Sequence, residues 1–451
     1  MDNIKGLAYS TAEFDKDGHL LHRPTVPPGT TDLIVVSHGW NNDREAAEAL
    51  YVKLFGNFVD VTKGDAAIAA RRLAVVGVIW PSKKFDELMT LTADDARAAG
   101  GAASVGGAGG SAAEQAAAMR AAIDRMAPLF DDAGDRERIQ ALHDLAPRLE
   151  GNTAAQAKFV ETLRQLLDPD GAVARQQTHE DRGDIFFRAP PDVVFKNAAR
   201  PEVEKAAGQP GAHAATGAPT NAAGHAQGLG SLFSGIGKAA TKLVNLTTYF
   251  EMKKRAGMVG TNGLAPLIDE LAAQVERIHL VGHSFGWRLV AAAAASSKTP
   301  KLHTLALLQA AFSHNGFSKT RNGFFESVAE THRVAGPIVV THTKNDTAVG
   351  VAYPIASRIG QDNANAFGDK DDQFGAIGSN GAQQMQPGEI VAGTDKLQPV
   401  GAAYALQPGR FHNLDATPFI IDPKGGDAHG FIFVPEVAWM LSRAILAPAG
   451  H

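Results

Sequence analysis

A chain of 451 residues with 44% hydrophobic and 20% charged residues is globular in composition, long for one ordinary domain but within reach of an α/β enzyme carrying an insertion. The formal charge of -5 gives no basic footprint for nucleic acid, and the lack of cysteine excludes disulfides, thiolate metal sites and a cysteine nucleophile. No run approaches the roughly 18 apolar residues of a spanning helix, and the N-terminal "MDNIKGLAYSTAEFDKDGHL" lacks a basic region followed by an apolar stretch. A soluble protein, cytoplasmic by default, is expected, with export by a signal-independent route left open.

The first strong element is "TDLIVVSHGW" at 31–40, a β-branched run that ends abruptly in His-Gly-Trp. Apolar on both faces, it predicts a buried parallel strand. "NNDREAAEALYVKLFGNFVD" follows with Asn and Asp as N-caps and apolar residues at helical spacing. "RRLAVVGVIWPS" at 71–82 is a second buried strand, stopped by Pro81. Strand, helix, strand is the grammar of an α/β sheet.

That grammar breaks from 83 to 245. "RAAGGAASVGGAGGSAAEQAAA" at 97–118 and "AAGQPGAHAATGAPTNAAGHAQG" at 206–228 have hinge or linker composition, whereas "RIQALHDLAPRLEG" and "AQAKFVETLRQLLDP" read as amphipathic helices. The expected organisation is a sheet domain from 1–82 and 246–451, interrupted by a largely helical insertion over 83–245. From 277 the alternation resumes: "RIHLVGHS" strand, "GWRLVAAAAASS" helix, "KLHTLALLQAAFS" strand, "GFFESVAETHRV" helix, "GPIVVTHT" strand, "AVGVAYPIASRI" helix, a loop region over 360–388, and a final helix "PEVAWMLSRAIL".

The first of these strands runs into Gly282-His283-Ser284-Phe285-Gly286. In a nucleophile elbow the serine sits in a strained strand-to-helix turn, and glycines two before and two after prevent clashes. A bare GxSxG is weak in a chain with 47 glycines, and an ordinary turn is the competing reading. The strand before and the helix after it favour a nucleophile.

A serine hydroxyl needs an imidazole to take its proton, and the imidazole needs a carboxylate to fix its tautomer. Asp346, in "KNDTAVG", falls just past the carboxyl end of "GPIVVTHT", where an orienting acid belongs; the alternative is an N-cap for the next helix. His429, in "DPKGGDAHGFIFVPE", lies in a glycine-flanked loop before the last helix and is the first choice of base. The alternative is a surface histidine. His412, inside what reads as a strand, ranks second, and His279, His303 and His332 read as structural. His342, Asp346 and His429 lack the tight spacing of metal ligands, so no metal and no cofactor is expected.

An oxyanion hole takes one N–H from the residue after the nucleophile, here Phe285, and one from the loop after an early strand. "SHGW" occupies that place: Trp40 supplies the N–H, Gly39 allows the bend and His38 buttresses the loop. A tight strand exit with a packed Trp is the competing reading.

Together "VVSHGWNND", "VIWPS", "HLVGHSFGWRL", "THTKNDTAVG" and "DAHGFIFVPE" resemble the α/β-hydrolase superfamily, especially its lipase- and esterase-like serine hydrolases, over roughly 30–82 and 260–445. The resemblance implies an α/β-hydrolase fold with a mostly parallel sheet and helices on both faces. It implies Ser284 as nucleophile, Asp346 as acid, His429 as base, and Trp40 with Phe285 as oxyanion donors. Trp287 departs from the pattern, because many members carry a second small residue after the elbow glycine, and close packing of that helix is thereby in question. Cleavage of a carboxylic ester through an acyl-enzyme is the expected chemistry; a peptidase or amidase, or a noncatalytic binding or effector scaffold, are the alternatives.

The insertion holds one further cue. "GLGSLFSGIGKAATKLVNLTTYFEMKKR" at 228–255 places Leu229, Leu232, Phe233, Ile236, Ala240, Leu243 and Phe250 near helical spacing, with Lys238, Lys242 and Lys253 to Arg255 as basic charge. This reads as a lid or interfacial helix for a lipid-like ester and for peripheral membrane contact, or equally as a helix packed on the sheet domain. Oligomeric state is not legible.

Overall fold

The computed structural model describes residues 2–40, 42–82, 112–171, 184–199, 230–330, 333–346, 375–391 and 395–450, with side chains omitted for 112–115, 184–185 and 230–234. The expected helix at 348–359 and the stretch 206–228 lie outside these residues, as does most of 97–118. Among the described residues ten strands form one mixed sheet: β1 (Asp2–Ile4), β2 (Leu7–Phe14), β3 (Leu20–His22), β4 (Asp32–Ser37), β5 (Leu73–Ile79), β6 (Arg277–His283), β7 (Leu302–Leu308), β8 (Ile338–His342), β9 (Asp395–Lys396) and β10 (Phe411–Asp415). The order across it is β1-β2-β5-β4-β6-β7-β8-β10-β9, with β3 on β2. Only β1 and β3 are antiparallel to their neighbour; every other pairing is parallel.

A mostly parallel sheet has both faces covered, and β4, β6, β7 and β8 are accordingly buried along nearly their whole length, with apolar residues on both faces and polar ones such as Asp32, His279, Thr304 and Thr341 buried among them. Side chains alternate between two cores. Ile34, Val36, Val75, Val281, Leu308 and Val339 face one core, filled by α1 (Arg44–Val61) and the last helix, α9 (Pro435–Leu446). Leu33, Val35, Val76, Leu280 and Leu307 face the other. The same apolar cluster continues through α2 (Ala112–Met126), α3 (Asp135–Leu145), α4 (Thr153–Leu167), α5 (Pro191–Ala198), α6 (Gly230–Met258), α7 (Ala265–Leu271) and α8 (Gly286–Ser296), with α8 lying on the strands and α6 against α2, α4, α5 and α8. Asp43 caps α1 by accepting the Ala46 N–H at 2.8 Å.

Between 112 and 258 the described elements are helices, and α6 runs unbroken across 245 and continues through a π-helical turn, Val259–Leu264, into α7. At Gly260 this turn comes so close to α8 that a Cβ would lie 2.3 Å from the Leu289 carbonyl oxygen. Two boundaries differ from expectation. β7 stops at Leu308 because Gln309 adopts φ +45°, and the helix expected within 323–334 starts only at Glu326 because Phe325 N–H turns back to Gly316 O at 2.9 Å. No helix among the described residues is long and apolar enough to cross a membrane.

From β4 the chain crosses to β5 on one side, and the later strands β6, β7, β8 and β10 build outward on the other. The strand order therefore reverses at β4, and in open parallel sheets the crevice at the carboxyl ends beside such a reversal is where ligands bind. The carboxyl ends that meet there are those of β4, leading to His38-Gly39-Trp40, and β6, leading to Ser284.

Candidate active site

Ser284 follows the last residue of β6 with φ +52°, in the left-handed region that a non-glycine residue occupies at a cost of about 1–3 kcal/mol. Its N–H donates to Leu308 O at 3.1 Å and its carbonyl accepts the Trp287 N–H at 3.3 Å, so the turn is fixed at both ends. The flanking glycines are sterically required. A Cβ on Gly282 would lie 2.3 Å from Trp287 Cα, and one on Gly286 would lie 2.3 Å from Ser37 O. The first contact also answers the question about Trp287. Its backbone approaches β6 as closely as that of a small residue, because the indole turns aside into a cluster with Phe312 at 4.2 Å, Phe325 at 5.4 Å and Phe317 at 5.9 Å.

Asp346 and His429 are brought together by their loops. His429 Nδ1–H donates to Asp346 Oδ2 at 2.8 Å, with the Asp346 carboxylate buried and the imidazole about one-seventh exposed (15%). That bond leaves Nε2 to take up a proton. Ala428 N–H donates to Asn345 O at 3.1 Å, joining the two loops, and Asn345 Nδ2 reaches Thr417 O and Ile420 O at 2.9 and 3.0 Å. Burial alone would lower the His429 pKa, but the Asp346 charge and hydrogen bond outweigh it, and the net shift is upward from 6.5.

His283, immediately before Ser284, ties this pair to the elbow. Its Nε2–H donates to His429 O at 2.9 Å, and the two rings lie 5.0 Å apart. Burial first, then the neighbouring His429, hold the His283 pKa down to about 3, so it stays neutral and keeps one fixed tautomer. Sequence reasoning included His283 only as part of the motif; its clamping role has no spacing signal, because its partner is 146 residues away.

The β4 exit loop closes the other flank. A Cβ on Gly39 would lie 2.4 Å from Ser284 Cβ, so this loop reaches the elbow only because residue 39 is glycine. His38 is fully buried, stacks on Trp80 with ring centroids 5.5 Å apart, and is held by burial at a pKa of about 4. The Trp40 indole meets Phe285 edge-on at 5.7 Å, and Phe285 meets Tyr249 of α6 at 5.1 Å, so an aromatic row runs from this loop into the insertion. Phe285 is the N-cap of α8, where the first N–H groups have no partner within the helix.

The remaining sequence candidates fall elsewhere. His412 lies within β10, its Nε2 accepting the Gln407 N–H at 2.9 Å, opposite Val339 in the middle of β8. His279 and His303 lie inside the sheet, where His279 joins Asp32 at 3.2 Å, and His332 is outside the described residues. The alternative metal trio does not form: among the described residues, ligand atoms of three such groups lie within 4.8 Å of one another only at Asp15, Asp17 and His19, in the β2–β3 turn.

Of the stretch 228–255, the described part is packed, as the alternative to a lid expects. Ala240, Leu243 and Phe250 are packed in the interior, and two of the expected surface cations are buried: Arg255 pairs with Glu251 at 2.8 Å, and Lys253 sits over the Phe312 ring at 5.7 Å. Helical periodicity is the same for a lid and for a packed helix, and here α2, α4, α5 and α8 lie against α6. Leu229 and the side chains of Leu232 and Phe233 lie outside the described residues. No family model, curated protein or solved structure matches this chain.

Proposed function

We propose that the protein is a serine hydrolase of α/β-hydrolase type that cleaves carboxylic esters through an acyl-enzyme. Ser284 Oγ attacks the ester carbonyl carbon while His429 Nε2 takes its proton, and the oxyanion forms against the N–H groups of Trp40 and Phe285. Collapse breaks the carbonyl–alkoxy bond, the alkoxide leaves with the proton from His429, and Ser284 keeps the acyl group. Water then repeats the two steps and releases the carboxylic acid. Asp346 holds the imidazole in the tautomer with Nδ1–H and stabilises the imidazolium.

The observation that carries this reading is one arrangement: a serine at φ +52° where the strand order reverses, with a hydrogen-bonded His429–Asp346 pair clamped to the residue before it. A turn of ordinary function has no reason to hold a strained serine beside such a pair. A lipid-like acyl chain loses its main support with the burial of the α6 face, and the reading is confined to esters. A fluorophosphonate probe tests it: wild type is labelled at Ser284 and Ser284→Ala is not, whereas an unlabelled wild type overturns it. Comparing p-nitrophenyl acetate with the matching anilide separates an esterase from an amidase.

A further inference from the structure

The carbonyl of Gly39 is surrounded by more donors than it has lone pairs. His38 Nδ1 lies at 2.8 Å, Ser82 Oγ at 3.1 Å and Asn42 Nδ2 at 3.2 Å. Ser82 also reaches Asn42 O at 2.9 Å, so its one proton serves Gly39 or Asn42 at a time, and either bond ties residue 82 to the loop. The preceding peptides are pinned as well. His38 N–H donates to Tyr51 Oη at 2.7 Å, Tyr51 Oη donates to Val78 O at 2.7 Å, and Trp80 Nε1–H donates to His38 O at 3.1 Å.

In a trans peptide the C=O and the N–H of the same plane point in opposite directions. Donors that fix the Gly39 carbonyl therefore also fix the Trp40 N–H, and they polarise it, because hydrogen bonds along one amide strengthen each other. A strand exit needs satisfied backbone groups, not three donor groups within reach of one carbonyl. We infer that His38, Asn42 and Ser82 are positioning residues that lock the Gly39–Trp40 peptide so that its N–H is preorganised for the oxyanion. This inference rests on the serine hydrolase reading, and it assigns Asn42 and Ser82 a role that acts through Trp40.

The lock consists of neutral groups: burial keeps His38 uncharged, with Nδ1–H as donor to Gly39 O, at any pH well above about 4. Its effect belongs to the transition state, since a ground-state carbonyl makes weaker use of the donor than an oxyanion does.

The test compares wild type with Ser82→Ala, Ser82→Thr and Asn42→Ala on p-nitrophenyl acetate, with phenylboronic acid as the tetrahedral mimic. Losing a whole oxyanion donor costs about 100- to 1000-fold in kcat, and a loosened one should cost about 10- to 100-fold. We expect Ser82→Ala and Asn42→Ala to lower kcat in that range with KM within about twofold, boronic acid affinity to fall in parallel, and Ser82→Thr to restore both. Unchanged kcat in a folded Ser82→Ala, or a loss with boronic acid affinity unchanged, overturns the lock. If Ser82→Ala does not fold, Asn42→Ala at its half-buried position decides by the same criteria. A wild type that fluorophosphonate does not label overturns the hydrolase reading and the lock together; a labelled, active wild type with unaffected variants overturns the lock alone.

Discussion

On one flank of Ser284 the β4 exit loop is fixed by neutral donors and acceptors, from Tyr51 and Trp80 to Ser82 and Asn42. On the other flank Asp346 and His429 arrive on two separate loops and meet through an ionisable bond. The neutral flank keeps its geometry at any pH well above about 4. The ionisable flank has a geometry and a proton affinity that change together. Turnover on such a site would take its pH dependence from the His429 side and its transition-state affinity from the Trp40 side.

The largest expected effect removes the atom both flanks serve. Ser284→Ala should lower kcat by about four orders of magnitude or more while circular dichroism stays that of wild type; activity within tenfold of wild type would mean that the two flanks converge on nothing.

His429→Ala and Asp346→Asn should each cost roughly three to four orders of magnitude. Asp346→Asn should do something more, because the carboxylate is what raises the His429 pKa. A base must be unprotonated, so the acid limb of kcat/KM should lie above 6.5 in wild type and move to lower pH in Asp346→Asn, with Ser82→Ala leaving it in place. Stability runs the opposite way. A pKa raised by folding stabilises fully below the unfolded value and loses that contribution as pH rises through the folded one. The Tm advantage of wild type over Asp346→Asn should thus be larger at about pH 5 than at about pH 9. An acid limb that moves equally in Ser82→Ala would break the division between the flanks.

Leu243→Ala tests whether α6 belongs to the core or to a lid. Its side chain is fully buried, and truncation should cost about 2–5 kcal/mol in unfolding free energy, with activity on short and long p-nitrophenyl esters reduced alike at a temperature where the protein remains folded. Selective loss on long esters would return the helix to substrate binding. The smallest effect is expected of His412→Ala, which should keep kcat within about threefold of wild type and lose roughly 1 kcal/mol of stability with the bond to Gln407.

How much of this is legible in the residues differs from place to place. β4, β5, β6, β7, β8 and α9 are readable because buried parallel strands are rich in apolar residues on both faces and a helix shows its period. β1 and β3 at one edge, three residues each, and β9 at the other, two residues long, are too short to show any. Ser284 stands out because the glycines beside it answer to steric contacts, with Trp287 on one side and Ser37 on the other. Chain order and loop position point to Asp346 and His429, which meet in the structure, but carry no sign of the His283 clamp. Ser82, Asn42 and Tyr51 carry no signal, since their bonds join residues to a loop whose path only the folded sheet defines. Trp287 misled because composition reports the size of a side chain and not its direction.

The apolar cluster that runs from Val76 and Leu280 through Leu289 to Phe159, Phe195 and Leu243 has a consequence for how the molecule comes apart. Helices that share one core with the strands beneath them melt when those strands do, so calorimetry should record one cooperative transition with no early partial one. By the same logic, excising 83–245 would cut α6 in two and strip its remaining turns and the outer side of α8 to water, leaving an aggregating remnant instead of a smaller folded protein.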